Sequence, residues 1–111
     1  MVGKDSAVLQ NESTLECIAL ERSIKLDPAK GRYAIGRGNG SDVQILNRSV
    51  SRRHAELIRR DGEYFVRDLE SRNGTYVNNE KITGEHALKE GDIVRLGQEC
   101  ELKYHQGFRT Q

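Results

Sequence analysis

Apolar and polar residues alternate in short runs along this chain, and turn residues break the runs at close intervals. Alternation over a few residues marks a strand with one buried face, because successive side chains point to opposite sides of the pleat. Such runs span Leu15–Leu20, Ser23–Leu26, Arg32–Ile35 and Asp42–Ile45. His54–Arg60 and Glu63–Asp68 flank Asp61-Gly62, the strongest short hairpin signal. Thr75–Val77 and Lys81-Ile82 flank Asn78-Asn79 and predict a second hairpin. Glu90-Gly91-Asp92 turns the chain into Ile93–Leu96, and Glu101–Tyr104 is the last run. No segment carries a helical stripe; Ala55–Arg60 matches one turn but stops at Asp61-Gly62. Ten or eleven short strands of this spacing predict an all-β sandwich or barrel.

The pattern shows no repeat, low-complexity segment or linker, so one domain is expected over residues 14–105. Residues 1–13 and 106–111 are read as tails, being polar and aperiodic. A length of 111 residues suits one domain, and 32% charged against 35% hydrophobic residues means a lean core. Lys and Arg number 18 and Asp and Glu 17, so the net charge of +1 exerts no general pull toward nucleic acid or an anionic membrane. Any anion must be held by local placement of charge. No apolar run is long enough to cross a bilayer, and Met1–Thr14 lacks the apolar centre of an export signal. The expected compartment is the cytoplasm. Cys17 and Cys100 stand far apart without a C-x-x-C pair or a nearby His at metal spacing, so neither a metal nor a cofactor is expected. They read as buried or half-buried thiols in a reducing compartment; a disulfide between the first and last strands is the alternative.

In a sandwich the strands are scaffold and recognition sits in the loops at one end. Three loops here have unusual chemistry. Gly36-Arg37-Gly38-Asn39-Gly40-Ser41 places a planar guanidinium among glycines that let backbone approach a ligand closely. Asn47–His54 combines hydroxyls with Arg48, Arg52, Arg53 and a His. Its hydroxyls and guanidiniums are donors for phosphate oxygens. His54, with no evident base or metal partner, reads as a residue bonded to neighbouring backbone rather than a catalyst. Ser71-Arg72-Asn73-Gly74-Thr75 is a turn whose Asn73 amide can both donate to and accept from a peptide backbone.

In order and spacing these pieces carry a family resemblance. Gly36-Arg37, Ser51-Arg52-Arg53-His54, Asp68-Leu69, Ser71–Thr75 and Gly91-Asp92 before the strand Ile93–Leu96 together resemble a forkhead-associated (FHA) domain. The resemblance covers roughly residues 15–104, and no part of the pattern is missing. It implies an eleven-stranded β-sandwich of the SMAD/FHA type whose loops at one end bind phosphothreonine peptides, a family that reads phosphorylated motifs through Arg clusters. It implies further that Arg37 binds the phosphate, that Ser51 donates its hydroxyl to it, and that Asn73 bonds the peptide backbone. Arg52 would add a phosphate contact and Arg72 would line the pocket for the threonine methyl. Gly36, His54 and Gly74 would hold loop shape. The implied partner is a phosphothreonine-bearing protein, the product of a serine/threonine kinase, with no role for nucleic acid or membrane.

Other readings stay open at this stage. The Gly36–Ser41 loop fails the dinucleotide pattern G-x-G-x-x-G at Ser41 and lacks the Gly-Lys-Ser/Thr ending of a P-loop. With no kinase motif, Ser-His-acid set or zinc cluster evident, the chain is not expected to be an enzyme. Arg48, Arg52, Arg53, Arg59 and Arg60 concentrate charge that could face nucleic acid, although alternation places Arg59 and Arg60 on opposite faces. A sandwich that binds protein without regard to phosphate is the third possibility.

Overall fold

In the computed structural model, which describes residues 12–107, the alternating runs become eleven strands, with no helix among the described residues. They are β1 (Thr14–Cys17), β2 (Arg22–Lys25), β3 (Arg32–Gly36), β4 (Val43–Gln44), β5 (Ala55–Arg60), β6 (Glu63–Asp68), β7 (Thr75–Val77), β8 (Glu80–Lys81), β9 (Glu85–Ala87), β10 (Ile93–Leu96) and β11 (Cys100–His105). One sheet has the order β2-β1-β11-β10-β7-β8 and the other β4-β3-β5-β6-β9. All pairings are antiparallel except β3 with β4. The two layers form the expected all-β sandwich.

Both hairpin turns follow from backbone conformation. Asp61 and Gly62 have φ of 55° and 81°, and Asn78 and Asn79 have 51° and 73°. Two consecutive left-handed residues make a type I′ turn, whose twist matches the strands it joins. In register, Arg60 faces Glu63 across the first turn and Val77 faces Glu80 across the second.

The core lies between the sheets. Leu15, Leu26, Ile35, Leu57, Val66, Val94, Leu96 and Leu102 are buried, and Tyr64 packs edge-on to Tyr104 with ring centroids 6.0 Å apart. The alternating burial along β1, β6 and β11 matches the pattern read from sequence. Glu56 departs from it. It is buried on β5 but forms ion pairs with Arg32 and Arg67, so its charge is compensated.

Several boundaries differ from the sequence reading. The run Leu15–Leu20 leaves the sheet after Cys17, because Ile18–Glu21 turns and Glu21 takes φ 51°. The second run shifts by one residue, β4 keeps only two of its four expected residues, and β8 is Glu80–Lys81 rather than Lys81-Ile82. Strand β9 was not expected at all; Glu85-His86-Ala87 carries no apolar alternation and is a strand because β6 supplies its partners. The expected tails fall mostly outside the described residues. Of the parts described, the Ser13 carbonyl accepts from the Leu26 amide at 2.8 Å, and the Ser13 hydroxyl accepts from the Gly107 amide at 2.9 Å.

Cys17 and Cys100 are both buried and unpaired, so the disulfide alternative is not realised. Burial, with Cys17 close by, pushes the Cys100 thiol up to about 12.

Candidate functional site

The β3–β4, β4–β5, β6–β7 and β10–β11 loops meet at one end of the sandwich, and their hydrogen bonds are mostly to one another. Gly36 explains how the first two come so close. A Cβ there would lie 2.1 Å from the Arg52 carbonyl oxygen, so only glycine allows the approach. The Arg37 amide donates to Ser51 O at 2.9 Å and the Gly38 amide to Arg52 O at 3.1 Å. These bonds lay the two loops side by side like a short ladder.

Arg37 is exposed but not free to wander. Its Nε donates to the Val50 carbonyl at 2.9 Å. That bond orients the guanidinium and leaves both Nη groups without a partner among the described residues. The result is an outward-facing fork of donors, the geometry that suits phosphate or carboxylate oxygens.

The Ser51 hydroxyl accepts the Arg72 amide at 2.9 Å, which leaves its own proton to donate outward. The same bond joins the β4–β5 loop to the β6–β7 loop and brings Arg72 beside Ser51. Asn73 donates from Nδ2 to the Ser49 carbonyl at 2.9 Å, so its Oδ1 is left to accept. The side chains of Arg52 and Arg72 are exposed at this end without an ion-pair partner among the described residues. Arg48 and Arg53 share that condition, whereas Arg32, Arg60 and Arg67 are all paired with carboxylates. Arg37, Arg48, Arg52, Arg53 and Arg72, all on these loops, thus have no carboxylate partner among the described residues.

His54 holds the loops from below. It is fully buried; its Nδ1 accepts the Ser51 amide at 2.9 Å, and its Nε2 donates to the Gly74 carbonyl at 2.8 Å. Accepting at Nδ1 requires the tautomer protonated at Nε2. Both ring nitrogens are thus engaged by backbone, one of them the expected local bond and the other twenty residues distant in sequence. Gly74 has φ +90°, and a Cβ there would crowd Lys81 and Tyr76 at 3.2 Å.

Sequence reasoning placed Asp68, Ser71 and Thr75 in the family pattern without giving them a role in bracing the loop. Asp68 accepts from the Ser71 hydroxyl at 2.6 Å, the Ser71 amide at 3.1 Å and the Thr75 hydroxyl at 2.7 Å. Burial alone would raise its carboxyl, but these hydrogen bonds outweigh burial and hold it below the usual carboxylate range. Ser49 and Gly97 were not singled out at all. Ser49 supplies the carbonyl that orients Asn73, and a Cβ on Gly97 would meet that carbonyl oxygen at 2.4 Å. No local signal marks either role, since both depend on loops that meet only in the fold. The Arg-rich segment 48–60 does not form one charged stripe. Arg60 is bound by Glu85 at 2.8 Å, and Arg59 reaches the Pro28 carbonyl on another loop.

Comparisons with known proteins agree with the geometry. The family model described as FHA domain matches residues 33–97. The chain is 48% identical over 62 residues to an oxoglutarate dehydrogenase inhibitor of Corynebacterium diphtheriae, an alignment covering 56% of this chain and 43% of that protein. It spans less than half the length of the curated relatives it matches. Among solved structures, a domain from a study of phosphothreonine-dependent FHA domain interactions superposes with a TM-score of 0.80 at 32% identity, covering 88% of this chain and 99% of that one. Mycobacterium tuberculosis EmbR, solved with a low-affinity phosphopeptide, superposes with a TM-score of 0.81 at 26% identity, covering 99% of this chain and 30% of that one.

Proposed function

Since this chain belongs to the FHA-domain family, we propose that its loop end binds phosphothreonine in a partner protein, as a reader in kinase signalling rather than as an enzyme. The observation that carries this reading is the Arg37 fork, anchored through Nε on Val50 and open at both Nη groups beside the Ser51 hydroxyl. A phosphothreonine brings about −1.5 to −2 charge and three acceptor oxygens, and this corner offers donors of matching number and sign. Arg37 and Ser51 hold the phosphate, Arg52 adds a charge-assisted contact, and Asn73 Oδ1 accepts from the peptide backbone. Arg72, tied to Ser51 through its amide, borders the space for the threonine methyl. Gly36, His54 and Gly74 shape the loops without touching the ligand.

A binding role also accounts for His54 better than a catalytic one does, because neither ring nitrogen is available to move a proton. No helix among the described residues is long and apolar enough to cross a membrane. The domain is expected to meet its phosphorylated partner in the cytoplasm, where protein kinases act.

The test is a peptide series titrated by fluorescence anisotropy against the wild type and Arg37→Ala. Arg37→Ala should lose about 2–4 kcal/mol of binding, more than tenfold, while staying folded and losing only about 1 kcal/mol of stability with its bond to the Val50 carbonyl. A phosphoserine version of the same peptide should bind several-fold more weakly, since a buried methyl contributes roughly 0.8 kcal/mol and β-branching stiffens the threonine side chain. Undiminished binding by Arg37→Ala contradicts the assignment of the phosphate site; equal binding of the two phosphoresidues contradicts the methyl pocket.

A further inference from the structure

The chain contains two Asn-Gly pairs, Asn39-Gly40 on the β3–β4 loop and Asn73-Gly74 on the β6–β7 loop. An asparagine followed by glycine can cyclise without an enzyme, because no Cβ on the second residue hinders attack of its backbone nitrogen on the asparagine side chain. The reaction needs a free backbone N–H, a free side-chain amide to leave, and a backbone with room to close a five-membered ring. The fold supplies all of these at one pair and withholds them at the other.

At Asn73-Gly74 every participating group is held. Asn73 Nδ2, the group that must leave, donates to the Ser49 carbonyl at 2.9 Å. The Gly74 amide, the group that must attack, donates to Ser71 Oγ at 2.9 Å. The Gly74 carbonyl accepts from His54 Nε2 at 2.8 Å and from the Gly97 amide at 2.9 Å, and Gly74 itself is buried. Ring closure there disrupts a braced loop and waits on its local opening.

At Asn39-Gly40 the opposite holds. Both residues are exposed, and neither the Gly40 amide nor Asn39 Nδ2 has a hydrogen-bond partner among the described residues. Apart from its chain neighbours, no heavy atom lies within 4 Å of where a Gly40 Cβ would stand, so the backbone has room to move. The bond that the Asn39 side chain does make favours the reaction: Gln44 Nε2 donates to Asn39 Oδ1 at 3.2 Å. A donor on that oxygen stabilises the negative charge it gains in the tetrahedral intermediate.

We propose that Asn39 is a site of spontaneous deamidation, a covalent modification that lowers the affinity of the neighbouring phosphate site. Hydroxide takes the Gly40 amide proton and the nitrogen attacks Asn39 Cγ. The Cγ–Nδ2 bond breaks, and ammonia leaves with a proton from water, which restores the hydroxide. Water then opens the five-membered imide at either carbonyl and yields an α-linked or a β-linked aspartyl residue. The product carries a new carboxylate two residues from Arg37, whose guanidinium has no carboxylate partner among the described residues. A carboxylate there competes with a phosphate for the same fork of donors. The β-linked product also adds a methylene to the backbone between Gly38 and Ser41, inside the turn in which the Ser41 amide donates to Gly38 O and the Gly38 amide to Arg52 O. The loss of affinity rests on the phosphothreonine reading above; the deamidation does not.

The experiment ages the folded chain in mildly alkaline buffer made with heavy-oxygen water and maps its peptides by mass spectrometry at intervals, beside the same chain in urea and the variant Gly40→Ala. In the folded chain the peptide holding Asn39 should convert about tenfold faster, or more, than the peptide holding Asn73, and in urea the two rates should converge. Gly40→Ala, whose Cβ meets open space, should slow conversion at Asn39 while the fold stays intact. The deamidated wild type, separated by ion exchange, should bind a phosphothreonine peptide chosen from an oriented library about tenfold more weakly than the fresh protein. Aged Gly40→Ala should keep the affinity it had when fresh, and Asn39→Asp should reproduce the part of the loss that charge alone causes. Equal rates at the two pairs in the folded chain, or no conversion at Asn39, overturns the proposal and leaves the phosphate site standing. So does conversion at Asn39 with undiminished binding. Failure of the fresh protein to bind in a phosphate-dependent way strikes the phosphothreonine reading, and the effect on affinity falls with it, whatever the rates.

Discussion

Replacing His54 tests whether the loop end is built from beneath. His54→Ala removes the acceptor of the Ser51 amide and the donor to the Gly74 carbonyl. The Ser51 amide has no second acceptor among the described bonds, so it is left half-buried and unsatisfied, at a cost of about 1–3 kcal/mol. The Gly74 carbonyl keeps the Gly97 amide at 2.9 Å, so its loss is smaller, about 1 kcal/mol. The void left by the ring adds about 1–2 kcal/mol. The sum, about 3–6 kcal/mol, is a large share of the 5–15 kcal/mol typical of a domain. The variant should fold but unfold at a much lower urea concentration, followed by far-UV circular dichroism with m held to the wild-type value. His54→Phe refills the volume without restoring either bond and should recover only the cavity share. A His54→Ala variant within 1 kcal/mol of wild type, on that same scale, would refute the stapling role.

Gly36→Ala should destabilise by about 1–3 kcal/mol and abolish phosphopeptide binding, because its Cβ would fall 2.1 Å from the Arg52 carbonyl and force the two loops apart; an alanine variant with normal melting and binding would show that the approach is not needed. The Asp68 carboxyl is held below its unfolded value by Ser71 and Thr75 against the opposing effect of burial. Its stabilisation is thus present in full above roughly pH 4 and lost as pH falls through its folded value. Asp68→Asn should flatten the acid limb of a plot of urea midpoint against pH, and an unchanged limb would contradict the assignment. Cys17 and Cys100 are buried, and burial has pushed the Cys100 thiol up to about 12. Both should react with a disulfide reagent only slowly at pH 8 in the native state and at once in urea, whereas rapid native labelling would contradict their burial.

What could be read from the chain and what could not divide along physical lines. The hairpin at Asp61-Gly62 was legible because its signal is local: two residues able to take positive φ between alternating runs. The buried faces of β1, β6 and β11 were legible for the same reason. Strand β9 was not, since Glu85-His86-Ala87 has no pattern of its own and depends on pairing with β6 and on the Arg60–Glu85 ion pair. Ile18 to Glu21 misled in the opposite direction: apolar residues continue the β1 pattern, but the backbone turns and leaves Ile18 and Leu20 in solvent. At the loop end, residue types identified Arg37, Ser51 and Asn73 as a group through family resemblance. Their fixed orientations come from carbonyls of Val50 and Ser49 and the amide of Arg72, groups every residue carries and no side-chain pattern can mark. The difference between Asn39-Gly40 and Asn73-Gly74 is legible only in the fold, because the two pairs are identical in sequence.

The central claim is that this loop end recognises a phosphate on threonine. The most direct measurement takes one threonine phosphopeptide selected from an oriented library and titrates it by isothermal calorimetry before and after phosphatase treatment, at two salt concentrations. The phosphorylated form should bind and weaken as salt rises, and the dephosphorylated form should lose at least tenfold, about 1.4 kcal/mol. Equal affinity of the two forms would contradict the account and would leave a sandwich that binds protein without reading phosphate.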